Sequence, residues 1–88
     1  MVSKKVRIKN PTGLHLRPAG IFCQEAMKYQ SRVTFRYGDS GTANAKSVLS
    51  VLGACVRSGD EIELVCDGED EQAALEALVL LVDDGFGE

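Results

Sequence analysis

The 88-residue chain has one histidine, no tryptophan and only three cysteines, which are widely spaced. No C-x-x-C pair and no second histidine exist to complete a zinc-type ligand set, so the sequence predicts no metal site. Apolar residues surround Cys23, Cys55 and Cys66. We therefore expect three buried or half-buried reduced thiols that behave as small hydrophobes, as in a cytoplasmic protein, and no cofactor.

Long apolar runs and a surplus of basic charge are also missing. The longest apolar stretch, ALVLLV at residues 77–82, is far shorter than the roughly 20 residues of a membrane helix. The start, MVSKKVRIKN, lacks the apolar run of a secretory signal. The net charge of −3 is unlike that of most nucleic-acid binders. We expect neither membrane insertion nor direct binding to nucleic acid.

The size of the chain limits where chemistry can take place. A domain spanning residues 1–88 buries a thin core and has no room for a deep active site. Any chemistry would lie on the surface and be shared with a partner. No long exposed apolar seam requires a dimer, so the sequence predicts a monomer. Basic residues near the N-terminus and Arg17 suggest a face suited to an acidic partner.

The hydrophobic pattern predicts a βαββαβα order. Alternating residues indicate strands at 5–9, 32–37, 42–45 and 61–66. Helices begin at Leu16, at Ser47 and within the acidic segment 67–72, and Gly85 is expected to end the last one. The first and last helices carry apolar stripes at Ala19, Phe22, Cys23, Ala26, Met27, and at Ala74, Leu75, Leu78, Leu81, Val82. This order favours an α+β two-layer sandwich whose sheet has one face open to water.

The single histidine lies in the stretch NPTGLHLRPAG, at the start of the first predicted helix. The first N–H groups of a helix, here at residues 16–18, lack intrahelical acceptors and attract anions. Arg17 adds a guanidinium suited to phosphate oxygens. Imidazole is nucleophilic near neutral pH, so His15 could accept a phosphoryl group beside this cradle.

Other interpretations of His15 remain open on spacing alone. A lone histidine at a helix start is often a cap or an ordinary surface residue. A Ser-His-Asp arrangement is compatible with the spacing, although a thin domain without a pocket makes it a poor candidate. A small domain that grips an anion without covalent transfer is a further alternative.

Ser47 precedes a short apolar helix and fits the N-cap position. A phosphate added there would lie at the positive helix end and change surface charge rather than unfold the helix. Val51 and Ala54 are expected to point inward. An exposed apolar patch, suited to docking, is then predicted at Val48, Leu49 and Leu52, with burial by neighbouring elements as the alternative.

The run GLHLRPAG resembles the active-site signature of the HPr family, the histidine-containing phosphocarriers of the bacterial phosphoenolpyruvate-dependent sugar phosphotransferase system. The resemblance spans the chain and includes NAKSVLSVLGACVRSGDEIEL and the C-terminal DGEDEQAALEALVLLVDDGFGE. It implies an open-faced, four-stranded antiparallel sheet with three helices on one face. It also implies that His15 accepts the phosphoryl group through Nδ1 and that Arg17 contacts it. Leu16 departs from the alanine common there and would add contact area for docking.

The resemblance further implies a set of partners. Enzyme I would charge His15, and EIIA components would receive the group, so the chain would be a relay rather than an enzyme. Ser47 matches the serine modified by HPr kinase/phosphorylase and read by a catabolite control protein, with Ser50 as the competing position. A regulatory Crh-like protein and a nitrogen-branch paralogue are the alternatives within the family, although Crh proteins lack the histidine that this chain keeps.

Overall fold

The computed structural model describes residues 1–88 and has the predicted order of elements. The strands are β1 (Val2–Arg7), β2 (Arg32–Tyr37), β3 (Gly41–Asn44) and β4 (Glu61–Asp67). The helices are α1 (Leu16–Ala26), α2 (Val48–Gly53) and α3 (Glu71–Asp83), followed by one 3₁₀ turn (Gly85–Gly87). None of the helices combines the length and the hydropathy of a membrane span.

The four strands form one antiparallel sheet in the order β1-β4-β2-β3. This arrangement confirms the predicted fold class. β1 begins three residues earlier than the predicted 5–9 because its ladder with β4 runs from Val2 opposite Cys66 to Arg7 opposite Glu61. β3 is likewise shifted one residue earlier than the predicted 42–45. The helices cover the apolar face of the sheet, and the other face presents charged side chains.

One cluster of 22 buried residues forms the core between the sheet and the helices. At its centre the Phe22 ring lies 5.7 Å from the ring of Phe35 and 6.0 Å from that of Phe86. One predicted core position is wrong, and another, Leu81, lies only at the edge of the core. Met27 is exposed because α1 ends one residue before it. Val79 is buried and Leu81 only half-buried, since the stripe of α3 continues from Leu75 through Leu78 and Val79.

The three cysteines are free thiols, as expected, but they differ in burial. Cys66 is buried, which raises the pKa of its thiol. Cys23 is half-buried. The prediction is wrong for Cys55, which is exposed. It follows the C-cap of α2 with φ of 53°, the left-handed position that ends many helices.

A carboxylate ties the start of α3 to the turn between α1 and β2. Asp70 accepts hydrogen bonds from the backbone N–H groups of Gln30 at 2.8 Å and Ser31 at 2.9 Å, and from the Ser31 hydroxyl. The hydroxyl of Ser31, followed by the Gln30 amide, lowers the pKa of Asp70. The ionised carboxylate therefore helps to fix the start of α3 against the turn that precedes β2.

Candidate functional site

The loop before α1 is fixed by close backbone packing. Gly13 has φ of +66°, and a Cβ atom placed on it would lie 2.6 Å from the Val56 carbonyl oxygen. The next residue, Leu14, buries its side chain and donates its N–H to the same oxygen at 3.0 Å. Only glycine fits this contact and this backbone conformation. The start of α1, and with it His15, is thereby held in one place.

Side-chain hydrogen bonds join the same loop to the C-terminal residue, Glu88. Asn10 is 2% exposed, and its Nδ2 donates to the Gly13 carbonyl at 2.7 Å and to Glu88 Oε1 at 3.1 Å. The Thr12 hydroxyl also donates to Glu88 Oε1, at 2.9 Å. The Asn10 amide, the Thr12 hydroxyl and the nearby charge of Arg17 lower the pKa of Glu88. The Glu88 carboxylate is therefore held at the loop that precedes His15.

His15 occupies the N-cap position of α1 without capping the helix. Its backbone is extended, with φ of −79° and ψ of −173°, and its carbonyl accepts the first helical hydrogen bond, from Ala19 N–H at 2.8 Å. The imidazole accepts no hydrogen bond from the helix and is exposed. The interpretation of His15 as a side-chain cap is therefore wrong, and both ring nitrogens are open to a partner.

The first turn of α1 presents two backbone donors beside this imidazole. The Ala19 N–H is used within the helix and Pro18 has none, so the predicted set of amides at 16–18 reduces to Leu16 and Arg17. These two N–H groups have no acceptor in the chain. The Arg17 side chain is exposed on the same turn. The arrangement can bind the oxygens of a phosphoryl group through two amides and a guanidinium.

Ser47 is the N-cap of α2, as the sequence predicts. Its Oγ accepts from the Ser50 N–H at 3.2 Å, and its carbonyl accepts from the Val51 N–H at 3.0 Å. The competing residue, Ser50, has its own hydroxyl engaged as the acceptor of the Asn44 N–H at 2.8 Å. Both serines are half-buried. Each therefore stabilises a local turn through its side-chain oxygen.

The start of α2 is tied to α1 through Lys46. Lys46 Nζ donates to the Tyr29 carbonyl at 2.7 Å, and the Lys46 carbonyl accepts from Cys23 Sγ at 3.1 Å. These contacts hold the residue before Ser47 against α1 and the turn that follows it. No local pattern in the sequence predicts them, because they join residues 17 and 23 positions apart.

Apolar side chains surround the start of α1 and the outer side of α2. Leu16 is 65% exposed and Leu49 is 82% exposed. Val48 and Leu52 are only half-buried rather than exposed, because they pack against the edge of the core. Val51 and Ala54 are buried as predicted. We call the area formed by His15, Leu16, Arg17, Val48, Leu49 and Leu52 the α1–α2 surface.

Comparison with known proteins identifies the family. The PTS-HPr family model, described as the PTS HPr component phosphorylation site, matches residues 2–84. The chain belongs to the HPr family. It is 40% identical to the phosphocarrier protein HPr of Treponema pallidum, with 100% of this chain and 99% of the relative covered. The predicted family is confirmed.

Solved structures of the family resemble this fold closely. An HPr from Thermoanaerobacter tengcongensis has a TM-score of 0.95 and 40% identity, covering 100% of this chain and 98% of that one. Crh, a catabolite-repression protein of Bacillus subtilis crystallised as a domain-swapped dimer, has a TM-score of 0.77 and 41% identity, with 97% of each chain covered. The chain is thus similar both to phosphocarriers and to a regulatory relative.

Proposed function

We propose that this HPr-family chain is a phosphocarrier of the sugar phosphotransferase system. It accepts a phosphoryl group on His15 from enzyme I and transfers it to EIIA components. The observation that carries the proposal is an exposed imidazole that leaves its helix uncapped beside two backbone N–H groups without acceptors. A nucleophile and an anion cradle on one helix turn are what a covalent phosphoryl relay requires.

In the transfer step, the lone pair of His15 Nδ1 forms a bond to phosphorus as the bond between phosphorus and the donor breaks. Nε2 keeps its proton, and the phosphoryl oxygens meet the amides of Leu16 and Arg17 and the Arg17 guanidinium. These groups are in place before the reaction, so charge is stabilised without rearrangement. Delivery to EIIA reverses the sequence, with the acceptor as nucleophile.

Docking would use the α1–α2 surface. Leu16 and Leu49 supply exposed apolar area, and Val48 and Leu52 form its less exposed part. Partners would therefore cover His15 while they exchange the phosphoryl group. We propose that residues 1–88 act as one domain in the cytoplasm; the monomer expected from the sequence stays a prediction.

We also propose that Ser47 is the target of HPr kinase/phosphorylase. A phosphate there would bring negative charge to the apolar part of the α1–α2 surface, because Ser47 immediately precedes Val48 and Leu49. It would slow transfer through His15 and create a form that a catabolite control protein can bind. The similarity to the catabolite-repression protein Crh supports such a regulatory role.

Parallel phosphosite mapping tests both parts. The chain is treated with phosphoenolpyruvate and enzyme I in one reaction, and with ATP and HPr kinase in the other. We expect an acid-labile phosphate on His15 in the first and an acid-stable phosphate on Ser47 in the second, with Ser47→Ala as its control. Phosphate on Ser50 would refute the Ser47 assignment. Phosphate bound without covalent attachment would indicate a simple anion-binding domain.

The similarity to Crh gives a second candidate function, a regulatory protein without a transport role. A strain that lacks its HPr separates the two. If this chain restores growth on phosphotransferase sugars and the His15→Ala variant does not, the carrier function holds. Regulation without any restored sugar uptake would favour the second candidate or a nitrogen-branch paralogue.

A further inference from the structure

The C-terminal part of the chain differs sharply in charge from the rest. Eight acidic residues and no lysine, arginine or histidine lie in residues 67–88, whereas all ten basic residues precede them. α3 lies in this acidic segment. It packs on β1, β4 and α1, while α1 separates it from α2 in the helical layer. Its outer side therefore lies apart from the α1–α2 surface.

Leu80 stands on that outer side with 70% of its area exposed. It forms a ridge between two shallow grooves. One groove is lined by Lys4, Gln72, Leu75, Glu76 and Val79, and the other by Glu25, Ala77, Leu81 and Asp84. Ala73, Ala77 and Leu80 follow one another at helical spacing, so the ridge continues as a stripe of small apolar side chains. We call this area, with Glu76 and Asp84, the α3 surface.

The acids around the stripe differ in how far they are neutralised. Asp83 pairs with Lys9 at 3.8 Å and Glu25 with Lys28 at 3.1 Å. Glu76 and Asp84 belong to none of the salt bridges of the chain. Lys4 is the one basic residue that lines either groove. Glu76 accepts a hydrogen bond from Gln72 Nε2 at 3.0 Å, but neither carboxylate is paired with a cation. The apolar ridge thus has an acidic border with two carboxylates that lack a cationic partner.

The charge decides between possible occupants. If a second copy of the chain docked here through the same surface, the Glu76 and Asp84 carboxylates of the two copies would face and repel each other. The same carboxylates would repel an anionic lipid surface. A segment that carries both basic and large apolar side chains fits better. Its Lys or Arg side chains would face the acidic border, and its apolar side chains would contact the ridge. Helices of this type bind grooves through residues at i, i+3, i+4 and i+7.

We propose that the α3 surface is a second docking site, for a basic amphipathic helix of another protein. Apolar side chains of that helix fill the grooves on both sides of Leu80, and its cations face Glu76 and Asp84. His15 stays accessible, because the α1–α2 surface is not covered. The chain could then be held by one partner while it exchanges phosphate with another.

A titration with a synthetic peptide tests the site. The ¹⁵N-labelled chain is titrated with a helical peptide of leucine and lysine, and separately with its leucine–glutamate counterpart. We expect amide shifts confined to residues 72–84 and their neighbours with the lysine peptide only. Leu80→Ser, and the double change Glu76→Lys and Asp84→Lys, should each weaken binding by about tenfold or more. Leu49→Ser is the matched control, because Leu49 is an exposed leucine on α2, and this variant should bind the peptide like the wild type.

Several outcomes would overturn the proposal. They are shifts centred on the α1–α2 surface, equal binding of the glutamate peptide, or unchanged binding by Leu80→Ser. A concentration-dependent dimer that Leu80→Ser abolishes would assign the surface to a second copy instead. Charging by enzyme I separates this idea from the proposed function, since Leu80→Ser should be phosphorylated at the wild-type rate whether or not the peptide binds.

Discussion

The α1–α2 surface and the α3 surface each expose a leucine, yet they differ in what lies beside it. On the first of these surfaces, Leu16 is flanked by an exposed histidine and an exposed arginine, and the N–H groups of Leu16 and Arg17 have no acceptors. Beside Leu80 are the carboxylates of Glu76 and Asp84, which belong to no salt bridge, and no histidine, cysteine or serine. Exposed apolar area alone therefore does not define a function in this fold. The polar groups beside the leucine are the reason why we propose phosphoryl transfer for one surface and only docking for the other.

The largest effect is expected where the α1–α2 surface is anchored, at Gly13. Gly13→Ala places a Cβ against the Val56 carbonyl and forces a left-handed alanine, so we expect the free energy of unfolding to fall by about 3 kcal/mol. Denaturant unfolding measures it. Gly20→Ala in α1 is the control: nothing lies within 4 Å of its added methyl, and stability should rise by about 0.5–1 kcal/mol. Equal effects of the two variants would refute the packing argument.

Arg17 should matter to transfer rather than to stability. Arg17→Ala removes a charge from the phosphoryl cradle, so we expect kcat/KM for charging by enzyme I to fall by about 10- to 100-fold. Stopped-flow or quench-flow phosphorylation provides the measurement. Arg36→Ala is the matched control, since this exposed arginine lies on the open sheet face near Glu63. A comparable loss in Arg36→Ala would mean that general charge, not the cradle, speeds the reaction.

A smaller effect is expected at the N-cap of α2. Ser47→Ala loses the acceptor of the Ser50 N–H and should lower the free energy of unfolding by about 1 kcal/mol. Ser40→Ala, in the exposed turn between β2 and β3, should change it by less than about 0.5 kcal/mol. Thermal unfolding of both variants checks this. If Ser47→Ala is as stable as Ser40→Ala, the hydroxyl is not a cap.

The smallest effect concerns Asp70, which anchors the start of α3. Its pKa is lowered in the folded chain, so the carboxylate contributes stability above its ordinary pKa of 3.8. That contribution disappears as the pH falls through the lower folded value. Asp70→Asn should therefore be less stable than the wild type at neutral pH, and the difference should narrow in acid. Urea unfolding at several pH values provides the measurement. For Glu69→Gln, an exposed neighbour, the stability difference from the wild type should not change with pH. If the stability difference between Asp70→Asn and the wild type is also independent of pH, this explanation of Asp70 is wrong.

The sequence predicts those parts of the fold that depend on local pattern. The alternation in β2 and β4, the Ser47 cap and the position of His15 before α1 all follow from neighbours in the chain. The exposure of Cys55 depends on the backbone conformation at a helix end, and the half-burial of Val48 and Leu52 depends on how a short helix tilts on the core. The contact of Glu88 with Asn10 and Thr12 joins opposite ends of the chain. Only tertiary packing determines these features.

The sequence predicts that His15 lies beside an anion-binding helix start, but it does not predict which groups are free to bind the anion. The residue types and their spacing indicate an anion site at the start of a helix. That the imidazole leaves the helix uncapped, and that the Ala19 N–H already donates to the His15 carbonyl, requires the backbone conformation and the hydrogen bonds. The α3 surface gave no such signal, because its apolar residues are typical of any helix that packs on a sheet.

We propose that the phosphoryl group is carried on His15 and nowhere on the α3 surface. Intact-mass spectrometry after treatment with phosphoenolpyruvate and enzyme I tests it most directly. The wild type and Leu80→Ser should each gain a single acid-labile phosphoryl group, and His15→Ala should gain none. If His15→Ala is charged as readily as the wild type, the assignment of His15 as the phosphoryl carrier is wrong.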